Sequence, residues 1–265
     1  MANLNPIYEK LIALSTEIGN WIKEERLTFS QDDVEIKGFN NFVSYVDKQA
    51  EVRFVSALAQ LIPEAGFIAE EGTSDKRGER YNWVIDPLDG TTNYVHDIPC
   101  YCTSVALMDG EELVMGVIYE PNSNECFHAL ADQGAYLNGK PISVSHQPEL
   151  IQSLLATGFP YDDFQREDDY FGILKEFTKK SRGLRRLGSA ALDLAYVACG
   201  RFDGFYEYGL NPWDVAAGAL IVKEAGGHVS DFRGSKNYIF GEEIIADNSL
   251  ISEAFFAVIS KGFNR

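Results

Sequence analysis

The chain has 265 residues, of which 45% are apolar and 24% charged, the profile of a globular protein long enough to bury a substantial core. Forty acidic residues against 23 Lys and Arg leave a net charge of −17, which excludes nonspecific attraction to a nucleic-acid backbone as a working principle. No apolar run approaches the ~20 residues that a membrane span needs. Met1-Ala-Asn-Leu-Asn-Pro6 lacks the basic and apolar regions of a signal peptide. Cys100, Cys102, Cys126 and Cys199 form no CxxC pair. These features lead us to expect a cytoplasmic protein with reduced thiols and no membrane partner.

Asn5-Pro6 predicts a helix start, an N-cap side chain followed by proline. Ile7, Leu11, Leu14, Ile18 and Trp21 then recur at helical spacing as one apolar stripe. The polar stretch 30–41 reads as a hairpin or loop. Asp47 opens a second helix with Phe54, Leu58 and Leu61 on one side, ended by Pro63. Gly66-Phe-Ile-Ala69 reads as a short buried strand that delivers Glu70 and Glu71, and the segment from Thr73 to Arg80 reads as a flexible loop.

Trp83, Val84 and Ile85 run straight into Asp86, as at the end of a buried strand. Pro87 removes a backbone donor, so the ladder is expected to stop there. Gly90 permits a sharp turn, and Thr91 and Thr92 place hydroxyls beside Asp86 and Asp89. Paired carboxylates on a rigid turn are hard oxygen ligands suited to Mg²⁺, which is usually shared with a substrate phosphate. A bare D-x-x-D-G is equally consistent with an ordinary turn. The longer string Asp86-Pro-Leu-Asp89-Gly-Thr91-Thr-Asn93 is far more specific.

Beyond it, 104–108 and 113–119 flank Asp109-Gly110 as a hairpin, and 125–130 and 135–137 continue the antiparallel pattern to a turn at Asn138-Gly139. Cys100, Cys102 and His96 fit an alternating strand with small buried thiols better than a zinc site. The acid-rich run 161–169 reads as a solvated loop and helix start. Further helices are expected over 189–199, 212–225 and 249–259, and strands over 203–208, 227–231 and 244–246. The first half, 1–148, thus reads as a mostly antiparallel sheet on two helices, and 149–265 as a smaller α/β half of the same catalytic unit.

The string from Asp86 to Asn93, with Phe67-Ile-Ala-Glu70-Glu71 upstream and Trp213-Asp214-Val-Ala-Ala-Gly218 … Glu224-Ala-Gly-Gly227 downstream, resembles the inositol monophosphatase family of Mg²⁺-dependent, lithium-sensitive phosphatases. The resemblance implies a layered α-β-α-β-α sugar-phosphatase-like fold, hydrolysis of inositol-1-phosphate, two to three Mg²⁺ ions and a homodimer. It implies a first ion on Glu70, Asp86 and the Leu88 carbonyl, and a second on Asp86, Asp89 and Asp214, with Glu70 reaching a third through water. Thr91, assisted by Asp47 with Glu70 nearby, would activate a water, and the amides of Gly90 and Thr91 would cradle phosphate. Gly188-Ser189-Ala190, Glu207 and Asp214 would meet the polyol, and Arg186 would approach a phosphate or a neighbouring subunit. As an ordinary strand acid, Glu207 would have no such role. Alternative substrates among relatives are fructose-1,6-bisphosphate, 3′-phosphoadenosine phosphate, NADP and histidinol phosphate. Some bacterial members also assist transcription and ribosomal RNA synthesis, which would make a protein, not nucleic acid, the partner.

Overall fold

Two sheets of unequal size grow from the two textures of the sequence. The computed structural model describes residues 4–30, 34–38, 41–159 and 165–263, so parts of the expected 30–41 hairpin and of the acidic 161–169 run lie outside the described residues. A short antiparallel pair, β1 (Val34–Gly38) and β2 (Asn41–Ser44), leads into helix α2 (Tyr45–Leu61). Helix α1 (Asn5–Glu25) has Leu4 at its cap position, so Asn5 and Pro6 both lie inside the first turn. Its buried face is Tyr8, Leu11, Ser15, Ile18, Gly19 and Ile22, turned by about one residue from the expected stripe. Gly19 accounts for the turn, because a β-carbon there would stand 2.4 Å from the Tyr119 ring.

Seven strands follow one another in space as in sequence: β3 (Gly66–Ala69), β4 (Tyr81–Asp89), β5 (Cys102–Asp109), β6 (Glu112–Glu120), β7 (Glu125–Leu130), β8 (Ala135–Leu137) and β9 (Lys140–Ile142). All neighbours are antiparallel except β3 and β4. The period of two decides what faces where. Trp83 and Ile85 enter the core beneath α1 and α2, while Val84 enters the core on the opposite face. Asp86, two residues beyond Val84, therefore falls on that opposite face. The ladder does not stop at Pro87. Asp86 pairs with Ser104 and Asp89 with Cys102, so β4 carries one more residue than β5 over this interval, and the strand passes the proline as a bulge. The segment expected as a flexible loop is fastened to β3, with the Phe67 amide donating to the Lys76 carbonyl at 2.8 Å.

The second sheet has the order β11-β10-β12-β14-β13, built from β10 (Leu154–Thr157), β11 (Gly183–Arg185), β12 (Gly204–Tyr208), β13 (His228–Ser230) and β14 (Glu243–Asp247). β10 runs parallel to both neighbours and the remaining pairs are antiparallel. Helices α5 (Ala190–Ala198) and α6 (Pro212–Glu224) lie between the sheets, and α4 (Glu167–Lys180) and α7 (Ser252–Phe263) cover the outer face of the second. α7 begins three residues later than expected, because Asp247 first closes a turn by accepting from the Ser249 amide and the Ser252 hydroxyl. The result is the expected α-β-α-β-α succession of layers.

The middle layer is common to both sheets: Val84 and Ala106 of one and Phe205 and Ile244 of the other share a core with Leu192, Leu194 and Ala217. Small residues let α6 come close. A β-carbon on Gly218 would stand 2.5 Å from Cβ of Leu194, an atom that cannot swing aside. Gly218→Ala should therefore force α5 and α6 apart and lower stability by about 1–3 kcal/mol, as overpacked cores do. A denaturant titration with an unchanged midpoint would show that the contact yields freely.

Candidate active site

Five element ends meet at one cavity of about 460 Å³ on the inner side of the large sheet. Glu70 follows β3, and its amide donates to the Ile85 carbonyl, which sets it beside the end of β4. Asp86 and Asp89 stand on either side of the bulge. Gly90 turns the chain at φ 96°, a conformation that favours glycine, into the short helix α3 (Thr91–Val95). Ser189 and Asp214 come from the starts of α5 and α6. Glu207 comes from β12, on the face that Phe205 shows to the middle layer.

Asp89 is fixed by the other half of the chain. Its Oδ2 accepts the Ser189 hydroxyl at 2.6 Å and the Ala191 amide at 2.7 Å, so the first turn of α5 points its donors at this carboxylate. Gly188, Ser189 and Ala190 line the cavity, and the Ser189 side chain is buried and turned to Asp89. Asp214 sits in the first turn of α6, where its Oδ2 accepts the Asn211 amide at 2.6 Å. It therefore caps the helix and lines the cavity at once.

Burial raises the carboxyl pKa values of Asp86, Asp89, Asp214 and Glu207. It pushes Asp89 up to about 6 against the Ser189, Ala191 and Ala190 hydrogen bonds. It pushes Asp214 up to about 7, with the Asp89 charge adding to the effect. Asp86 is raised well above the usual range, first by burial and then by the charges of Glu70, Asp89 and Asp214. The acids answer by pairing among themselves: Asp86 hydrogen-bonds with Glu70 and with Asp214. Among the described residues no three acidic, His or Cys side chains stand as a finished metal cage. Carboxyl groups that share protons for want of a counter-charge are nevertheless the donor set that a hard divalent cation fits, the more so when carbonyls and water complete its shell. Glu70, Asp86, Asp89 and Asp214 could hold such ions, with the Leu88 carbonyl at the cavity wall.

Thr91 is placed by two acceptors. Its Oγ1 lies 2.9 Å from Asp47 Oδ1 and 3.0 Å from the Leu88 carbonyl. A hydroxyl has one proton, so whichever acceptor takes it, Thr91 has a lone pair to offer the cavity. Asp47 is held in turn by Ser44, whose amide and hydroxyl reach its Oδ2 at 2.9 and 2.6 Å. Burial raises the Asp47 carboxyl, and these bonds pull it down.

Several residues that the sequence did not assign prove to matter. Glu51 accepts the amides of Glu71 and Thr73 at 2.6 and 2.7 Å and so anchors the loop that carries Glu70. Asn93, the last residue of the signature string, donates to the carbonyls of Cys100 and Leu187 and ties the two halves together beside the cavity. Asp193 lines the same cavity. Its legible signal is a lone acid in the apolar helix Ala-Ala-Leu-Asp-Leu-Ala-Tyr-Val-Ala.

Residues 3–261 match the model of the inositol monophosphatase family. The chain belongs to that family. It is 40% identical over 255 residues, 96% of each chain, to the Nus factor SuhB of Escherichia coli. Among solved structures it superposes on the extragenic suppressor protein suhB of Bartonella henselae with a TM-score of 0.91 and 35% identity, over 97% of this chain and all of that one. It superposes on the inositol monophosphatase of Anabaena with a TM-score of 0.85 and 35% identity, over 98% of this chain and 97% of that one. Among the described residues no helix is long and apolar enough to cross a membrane.

The electrostatics of this family member give a pH test. In the cation-free fold Asp89 and Asp214 keep protons that the unfolded chain releases above the ordinary carboxylate range. Their burial therefore weighs increasingly against the fold as pH rises towards 6 and 7. A divalent cation relieves that penalty only once the acids ionise. Its gain in Tm over a chelator control should be small near pH ~5 and large near pH ~8, and Asp214→Asn should diminish the gain. An equal gain at both pH values would show that these carboxylates are not where the ion acts.

Proposed function

We propose that the protein is a Mg²⁺-dependent phosphomonoesterase that hydrolyses inositol-1-phosphate to inositol and phosphate. The observation that carries this reading is the Thr91–Asp47 pair set beside four converging acids, Glu70, Asp86, Asp89 and Asp214. Glu70, Asp86 and the Leu88 carbonyl would hold one ion, and Asp86, Asp89 and Asp214 would hold another. When bound, such ions neutralise phosphate charge, acidify a water and steady the leaving oxygen. The protein's own groups then position the reactants. The Thr91 lone pair accepts from the attacking water, and Asp47 keeps the hydroxyl turned the right way. The four His residues, 96, 128, 146 and 228, take no part. Glu207, buried in the wall of the cavity, accepts from hydroxyls of the polyol.

Removing the Thr91 hydroxyl should separate chemistry from folding. Thr91→Ala is expected to lower kcat by roughly 100-fold or more with little change in KM, the scale of a lost acid–base partner. Its Tm should stay close to that of the wild type, because Thr91 is only half-buried. Full turnover in this variant, or in the presence of a chelator, would sink the assignment.

A second role rests on the E. coli relative, which is a Nus factor by name. We infer that this chain also joins transcription complexes, through a protein surface, since a net charge of −17 opposes contact with a nucleic-acid backbone. Tagged protein should copurify with RNA polymerase from its own cells, and Asp214→Asn should copurify equally well. Copurification that nuclease treatment abolishes would place nucleic acid in the contact after all.

A further inference from the structure

Asp193 has no place in the chemistry above, yet the fold buries it to 1% exposure on α5 at the wall of the same cavity. Its Oδ1 has no hydrogen-bond partner. A buried carboxyl oxygen without a donor destabilises a fold, and such groups persist where a ligand supplies what is missing. The adjoining wall is built to match. Glu207 is 5% exposed, and the absent side chain of Gly158 makes its room, since a β-carbon there would lie 1.9 Å from Glu207 Oε1. The Glu207 charge reaches Asp193, and Arg186 is the positive group that both sense. Leu192 and Leu194, the flanking residues of α5, enter the apolar core, so Asp193 is the one position of that turn that offers acceptors to the cavity.

We propose that Asp193 is a specificity-determining contact which, together with Glu207, receives two neighbouring hydroxyls of the alcohol portion of the substrate. This rests on the phosphatase reading above and narrows it. Two carboxyl groups on the wall of the cavity suit a monophosphate of a polyol with vicinal hydroxyls. A second phosphate placed there would meet two acids, so sugar bisphosphates fit poorly. A hydroxyl donates to each acid, and the orphaned Oδ1 gains the donor that the protein does not provide.

The test uses Asp193→Leu, a near-isosteric change without polar atoms, and Asp193→Asn, each in the full chain with Mg²⁺. Calorimetric titration with myo-inositol is expected to show affinity reduced about tenfold in the Leu variant, with inorganic phosphate bound as in the wild type. The KM for inositol-1-phosphate should rise in both variants, while turnover of 4-nitrophenyl phosphate stays the same. The Tm of Asp193→Leu should rise, because an unpartnered buried carboxyl has been removed; a merely structural Asp193 would lower it. Should the Leu variant fail to fold, the Asn variant decides through the same titrations. Unchanged myo-inositol affinity in the folded variants, equal losses on both phosphate esters, or a wild type that does not bind myo-inositol would overturn the proposal. A wild type that hydrolyses no ester, yet binds myo-inositol in a way that depends on Asp193, would instead sink the phosphatase reading and leave this contact standing.

Discussion

Carboxylates gathered out of water repel one another and resist losing their hydration, and much of the surrounding architecture answers that difficulty. Three helices offer their N-termini to acids of the site: α2 to Asp47, α5 to Asp89 and α6 to Asp214. Each supplies amide donors and the positive end of a helix dipole, effects of about 0.3–1 kcal/mol apiece at exposed positions and more when partly buried. That help is incomplete, since burial still raises Asp86, Asp89 and Asp214 and leaves neighbouring carboxyl groups sharing protons. A cation of higher charge would balance such a set. Stability and the proposed function thus pull against each other here, and a divalent cation at these acids would reconcile them.

The same layout separates tasks along the cavity. Glu70, Asp86, Asp89, Asp214, the bulge and Thr91 belong to the large sheet and to the first turns of the helices that follow or face it. Glu207 and Asp193 stand on the side of the small sheet and α5. Under the proposed reading one wall would serve phosphate chemistry and the other the alcohol, and Asn93 bridges the two through the Cys100 and Leu187 carbonyls.

Much of this was legible in the sequence, for physical reasons. Alternating strands, Asn-Gly and Asp-Gly turns and glycines at helix ends marked the elements, because each such signal reports a local backbone requirement. The signature string located Asp86, Asp89, Gly90 and Thr91. The bulge at Pro87 was not legible, since whether a strand stops at a proline or steps around it depends on what β5 offers opposite. Nor were β10 and β11, whose short runs carry no pattern apart from their neighbours. The turn of Ser189 towards Asp89 required knowledge of which helix start faces which carboxylate. Asp193 did carry a signal, a single acid in an apolar helix, but only the cavity gives that anomaly a meaning.

The hold of α5 on Asp89 has a consequence in time. Ser189 stands 100 residues beyond Asp89, and Asp214 follows later still. A chain emerging from the ribosome can pair β4 with β5 and shape the signature turn long before either partner exists. Closing so long a loop comes late, since contacts of large sequence separation form slowly. Full carboxylate organisation is thus among the final events of folding, and a truncated product that lacks α5 and α6 would have a strand end with two acids but no organised active site.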